Sequence, residues 1–164
     1  ELQLLTMKPI VYAGNVSENQ LSNNQIIQLS NSPILAICAE TEAQLAALSE
    51  SEQQEYLASL GVKASGLDRL IQKAYKTLGL ISFLTTGVIE SRAWTIERGM
   101  KAPQAAGVIH TDFEKKFIKA DVVSFEEFIA LGGWKAAREA GKVRSEGKEY
   151  EMQDGNIVEF KVGS

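Results

Sequence analysis

Residues 9–13 (PIVYA) and 33–39 (PILAICA) are two almost unbroken apolar runs, and neither alternates apolar with polar positions. A strand with one face in water alternates, whereas a strand covered on both faces reads as a continuous apolar run, which is the habit of parallel strands in α/β sheets. Parallel neighbours need a crossover between them. The intervening ENQLSNNQIIQLSN supplies one, with Leu21, Ile26, Ile27 and Leu29 giving an approximate helical face. The opening of the chain is therefore expected to be strand, helix, strand.

Helices follow. Leu45 and Leu48 lead to Ser49 with Glu52, a capping-box pattern, then Tyr56, Leu57 and Leu60 before Gly61. Leu67, Leu70, Ile71, Ala74, Tyr75 and Leu78 form the clearest helical stripe in the protein, closed by Gly79. It reads as a packing helix without chemistry. Near residue 81 the pattern changes. ISFLTTG and SRAWTIERG read as two strands forming a hairpin, and Pro103 suits the first turn of a helix through Ala105, Ala106, Val108 and Ile109. FIKADVVSF reads as a strand, and Ser124 with Glu127 opens a short helix that stops at Gly132-Gly133. KEYEMQDGNIVEFKV is expected to form two strands joined at Asp154-Gly155. Strand, strand, helix, strand, helix, strand, strand describes a small sheet gripping one main helix.

At 164 residues and 45% hydrophobic, the chain can bury one ordinary core or two small ones. Residues 1–81 carry 5 Lys+Arg against 8 Asp+Glu, and residues 82–164 carry 12 against 13. Neither half is basic in bulk, so any RNA contact must come from a local patch. No apolar stretch approaches a membrane span, and the first residues do not read as a signal peptide. The single Cys38 cannot form an internal disulfide, and a cytoplasmic location is the expectation.

Ligands of open α/β sheets bind at the carboxyl ends of the strands. Asn15-Val16-Ser17-Glu18 and Cys38-Ala39-Glu40 stand at two such ends. An Asn amide offers one donor group and one acceptor to a purine edge, small neighbours admit the backbone, and an ionised Glu only accepts. Taken alone, these residues read first as ordinary loop chemistry, an Asn turn followed by a helix-initiating Glu.

NVSE resembles the NxxE base-recognition motif of the YchF/Obg-like ATPase family, which stands where related GTPases carry NKxD. CAE is similar to that family's (S/C)AxxE element, with Glu40 after Ala39 and Glu42 close by. RAWTIERGMKAPQAAGVIHTDFEKKFIKADVVSFEEFI and AREAGKVRSEGKEYEMQDGNIVEF are similar to its TGS domain, a β-grasp module. The resemblance implies that residues 1–80 are the C-terminal part of a P-loop nucleotide domain, an α/β fragment of parallel strands with helices, and that residues 81–164 are an α+β TGS domain. It implies that Asn15 contacts the base, that Val16 lines the adenine site with Glu18 alongside, and that Cys38, Ala39 and Glu40 approach the ring from the neighbouring loop. It also implies that the intact family protein uses Mg²⁺ and prefers ATP to GTP.

The sequence contains no G-x-x-x-x-G-K-[ST] phosphate loop. The chain is accordingly expected to be the C-terminal portion of such an ATPase, to bind no cofactor tightly and to hydrolyse nothing alone. Without its missing N-terminal part it is expected to self-associate through exposed apolar surface. Lys115, Lys116 and Lys119, with Arg92, Arg98 and Lys101, are the candidate ribosomal RNA patch, although Asp112, Glu114 and Asp121 interrupt it. The alternative is a TGS binding module for RNA, protein or a small regulatory ligand, without a nucleotide role in this chain. His110 has no catalytic partner at a suggestive spacing and reads as a helix-capping residue. Trp94 reads as core and Trp134, after two glycines, as the more exposed aromatic.

Overall fold

In the computed structural model, which describes residues 4–22, 28–29, 32–87 and 90–163, the first apolar run becomes a strand only at its end. After a 3-10 turn at Leu5–Met7, strand β1 is Ala13–Asn15, and helix α1, Glu18–Ser22, follows. Ile26 and Ile27 of the expected helical face lie outside the described residues. Leu29 belongs to a strand, because β2 (Gln28–Leu29) pairs antiparallel with β3 (Ser32–Pro33). Strand β4, Leu35–Ile37, pairs in parallel with β1 in the register Ala13 to Leu35, Gly14 to Ala36 and Asn15 to Ile37.

Three helices complete this first unit, which spans Glu1–Leu78: α2 (Ala39–Leu45), α3 (Glu50–Ser59) and α4 (Gly66–Leu78). The Glu52 carboxylate accepts from both the Ser49 N–H and hydroxyl, at 2.8 and 2.6 Å, and so anchors the start of α3. Burial pins Val16, Leu21 and Cys38 together, with Ala36 and Val62 against them. Helix α4 approaches β4 closely. A Cβ on Gly66 would come within 2.9 Å of Ile37 Cγ2, and Arg69 Nη2 donates to the Ala36 carbonyl at 2.9 Å. Its apolar stripe is only partly used, since Leu67, Ile71 and Leu78 are exposed and Leu70, Ala74 and Tyr75 are half-buried.

The second unit, Gly79–Ser164, holds β5 (Leu80–Thr86), β6 (Ser91–Glu97), α5 (Ala102–Ile109), α6 (Thr111–Lys115), β7 (Phe117–Ser124), α7 (Phe125–Leu131), α8 (Trp134–Glu139), β8 (Arg144–Glu146) and β9 (Asn156–Val162). Its five-stranded sheet runs β6-β5-β9-β7-β8, with β5 and β9 parallel and the other neighbours antiparallel. Period-two alternation sends Val122 and Val158 to one face and Val123 and Ile157 to the other. On the first face Ile81, Phe83 and Ile96 pack with Ala102, Ala105 and Ala106, whose small side chains let α5 lie close to the sheet. Full burial of each large apolar side chain such as Phe83 contributes about 1.5–3 kcal/mol. On the other face Val123, Ala137 and Ile157 pack with Phe128, Leu131 and Trp134 from α7 and α8. The whole is a mixed α/β fold with a parallel pair and a mixed sheet.

The expected hairpin at Asp154-Gly155 does not form. Asp154 Oδ1 accepts from the Ser82 N–H at 2.8 Å, the Gly155 N–H donates to the Ser82 carbonyl at 2.8 Å, and β9 then runs between β5 and β7. Upstream, Glu151 makes only an isolated bridge to Lys101. The turn residues bind a strand about seventy residues away in preference to closing a local ladder.

Candidate functional site

Parallel pairing brings the two expected loops to the same end of adjacent strands. Asn15 is the last residue of β1, and its register partner Ile37 is the last of β4. Two hydrogen bonds then join the loops: the Val16 N–H donates to the Ile37 carbonyl at 2.8 Å, and the Ala39 N–H donates to Asn15 Oδ1 at 3.1 Å. Val16 and Cys38 turn their side chains into the small core, at 8% and 2% exposure, so backbone rather than side chain borders the loop surface there. Asn15, Val16, Cys38 and Ala39 thus form one continuous edge.

Glu18 begins α1 and Glu40 lies in the first turn of α2, where a carboxylate complements the helix dipole. The Tyr56 hydroxyl on α3 donates to Glu18 Oε2 at 3.3 Å and also contacts Gln44 Oε1. Burial first, and then the Glu18 carboxylate, push the Tyr56 phenol above its ordinary range. Sequence reasoning did not reveal the job of Glu42: it accepts from the Gly66 N–H at 2.6 Å and the Leu67 N–H at 3.3 Å, capping α4 from α2. Ser17 is held locally, its N–H and hydroxyl both donating to Gln20 Oε1. Among the described residues no group of three His, Cys, Asp or Glu side chains is placed to hold a metal ion, and no helix is long and apolar enough to cross a membrane.

The basic residues fall into separate places. Arg92 stands near the start of β6 with its guanidinium 4.4 Å from the centre of the Trp94 ring, whereas Lys101 lies beyond the end of β6 and pairs with Glu149. Arg98, just past β6, donates its backbone N–H to the Gly79 carbonyl at 2.7 Å. Lys115 ends α6, Lys116 caps it, and both are exposed. Lys119 on β7 donates to Ser145 Oγ at 2.8 Å and lies 3.1 Å from Asp121. His110 caps α6: its Nδ1 accepts from the Asp112 N–H at 3.2 Å. Trp94 is half-buried against the core and donates its indole N–H to Thr85, while Trp134, also half-buried, packs edge-on against Phe128.

Asp121 is the most buried acid described, at 8% exposure. Burial raises its pKa, but the Ser145 hydroxyl and the Lys119 ammonium outweigh that and hold the carboxyl below its ordinary range. Glu159, bonded to Lys161 and Arg138, is likewise lowered.

Known proteins match along nearly the whole chain. A family model, YchF-GTPase_C, described as "Protein of unknown function (DUF933)", matches residues 80–163. The chain is 45% identical over 171 residues to the "Ribosome-binding ATPase YchF" of Bacillus subtilis, covering 98% of this chain and 47% of that protein. To the protein of the same name from Escherichia coli O157:H7 it is 46% identical, covering 97% and 46%. The chain therefore spans about half the length of the curated relatives it matches. A solved YchF GTPase from Schizosaccharomyces pombe superposes with a TM-score of 0.82 at 37% identity, over 96% of this chain and 44% of that one. A GTP-binding protein from Pyrococcus horikoshii shares the fold at 18% identity, with a TM-score of 0.54. By the family model and these relatives together, the chain belongs to the YchF family.

Proposed function

We propose that this chain supplies the base-reading edge of an adenine-nucleotide site, in residues 1–80, and a ribosome-facing TGS domain of the β-grasp type, in residues 81–164. It would be the C-terminal portion of a YchF-type NTPase. The observation that carries the first part is the Asn15 Oδ1 bond to the Ala39 N–H, which locks the two loops into one surface. With its oxygen engaged, the Asn15 amide has its NH₂ left to donate to a ring nitrogen of a purine. Val16 and Cys38 bury their side chains, which favours close approach of a flat ring to backbone.

Selection of adenine over guanine follows from Glu18. Guanine recognition uses a carboxylate that accepts from the ring and exocyclic N–H groups, whereas the Tyr56 hydroxyl at 3.3 Å from Glu18 Oε2 ties this carboxylate to α3. The residues present fit a base. Triphosphate and Mg²⁺ would be held by a phosphate loop of the intact family protein, which would supply the phosphoryl-transfer chemistry. The names of the curated relatives support the ribosome as partner. Exposed Lys115 and Lys116, with Lys119 beyond them, are the proposed phosphate contacts.

Calorimetry with ATP, GTP and adenosine tests the base-reading role. Weak binding of adenine compounds that Asn15→Ala abolishes is the expected result; no heat from any adenine compound overturns it. Co-sedimentation with ribosomes across a salt series tests the second role, with charge reversal at Lys115, Lys116 and Lys119 expected to weaken binding and flatten its salt dependence.

A further inference from the structure

We propose that the cleft between the Gly132-Gly133 turn and the end of β5 binds an unpaired nucleobase carrying a phosphate, stacked on the Arg138–Trp134 pair. The cleft is open to solvent and offers about 640 Å³, a volume within the range of small-molecule sites. Its floor is aromatic: the Phe128 and Trp134 ring centres are 5.4 Å apart at 76°. The indole N–H donates to the Thr86 carbonyl at 3.3 Å, so the ring is pinned and its polar edge is used.

Arg138 completes the platform. Its guanidinium carbon lies 5.2 Å from the centre of the Trp134 ring, its Nη2 bonds the Glu159 carboxylate, and Asp121 Oδ2 is 3.8 Å away. Yet its side chain is 46% exposed. A planar cation held against an indole and tethered by carboxylates thus still presents nearly half of its side chain to solvent. Guanidinium planes and aromatic rings are the two surfaces on which unpaired bases stack. The rim is bare backbone: Gly132 and Gly133 have φ of +82° and +124°, and a Cβ at either would meet nothing within 4 Å. Those backbone angles require glycine to end α7 and begin α8, and a consequence of the missing side chains is that this rim of the cleft is bare.

Within the lining Arg138 is balanced by Glu159, so a cation for a phosphate must come from beside the platform. Lys161 is opposite Lys119 in the β7–β9 register, two residues beyond the Glu159–Asp121 pair and on the same sheet face. Lys135, next to Trp134, is exposed. Lys161 is paired with Glu159 and Lys119 with Asp121, which leaves Lys135 as the ammonium group placed to meet a phosphate beside the stacked base. The shared chemistry admits two sources, single-stranded RNA and a free mononucleotide. The inference is independent of the base-reading loop at Asn15.

The chain contains two tryptophans, so Trp94→Phe leaves Trp134 as the only indole reporter. Titration of that variant with a short oligoadenylate and with adenosine 5′-monophosphate is expected to quench Trp134. Quenching by both, by the oligomer alone (RNA) or by the monomer alone (free nucleotide) each supports the site and identifies its source. Arg138→Lys keeps the charge and loses the plane, and should weaken binding about ten-fold. Asn15→Ala should leave the signal unchanged, which separates this site from the first unit. In the unaltered chain, nuclear magnetic resonance should show the Trp134 indole and Arg138 guanidinium protons shifting with either probe. No quenching by either probe, unchanged affinity in a folded Arg138→Lys, or shifts confined to other residues would overturn the proposal.

Discussion

At the scale of single residues, Gly66 and Glu42 carry more than their local sequence announces. Alanine at Gly66 puts its methyl 2.8 Å from Glu42 Oε1 and 2.9 Å from Ile37 Cγ2, so the Glu42 cap and the Ile37 side chain, or α4 itself, must shift. Gly66→Ala should cost about 1–3 kcal/mol, overpacking outweighing the helix propensity of Ala, as read from urea unfolding of the first unit. Glu42→Ala removes the carboxylate from two helix N–H groups and should cost about 1–2 kcal/mol by the same measurement. Asp121 sets a pH dependence. Because its folded pKa is depressed, its contribution is present above the ordinary carboxylate pKa of about 3.9 and is lost as pH falls through the lower folded value. The urea midpoint of the second unit should fall more steeply below about pH 4 in the parent chain than in Asp121→Asn.

At the scale of elements, helix starts show how far a sequence can be read. Ser124 Oγ accepts from the Glu127 N–H at 3.3 Å and donates to the Glu127 carboxylate at 3.2 Å, so Ser124→Ala should lower the thermal midpoint by the equivalent of about 1 kcal/mol. Both this motif and the one at Ser49 are legible because cap and partner are three residues apart. Gly132, with its left-handed φ at the end of α7, is legible for the same reason. Asp154-Gly155 has an equally strong local signature, but its partner is Ser82, and a distant strand outcompetes a hairpin that local chemistry favours. The candidate site divides in the same way. Asn15 and Cys38-Ala39 stand out because strand ends are visible as breaks in apolar runs. Glu42 reaches 24 residues ahead to Gly66, and the Tyr56 hydroxyl reaches back 38 residues to Glu18; neither link has any local pattern.

At the scale of the molecule, both units leave large apolar side chains in solvent. The second has cores on both sheet faces and still leaves Ile118 and Ile129 59% and 61% exposed, while the first leaves Leu67, Ile71 and Leu78 of α4 between 48% and 59% exposed, with Leu5 and Met7 near 80%. Such a surface favours association, and light scattering should show the apparent mass rising with concentration, an effect that Ile71→Glu should reduce. The second unit has a different dependence, one of time rather than area. Its central strand β9 is the last of the described strands along the chain, and it alone joins β5–β6 to β7–β8. During synthesis the two flanking ribbons emerge with nothing between them, each presenting an unpaired edge where β9 will go. The sheet can close only after residues 156–162 have left the ribosome, so this unit must fold after translation of its final segment rather than progressively from its beginning.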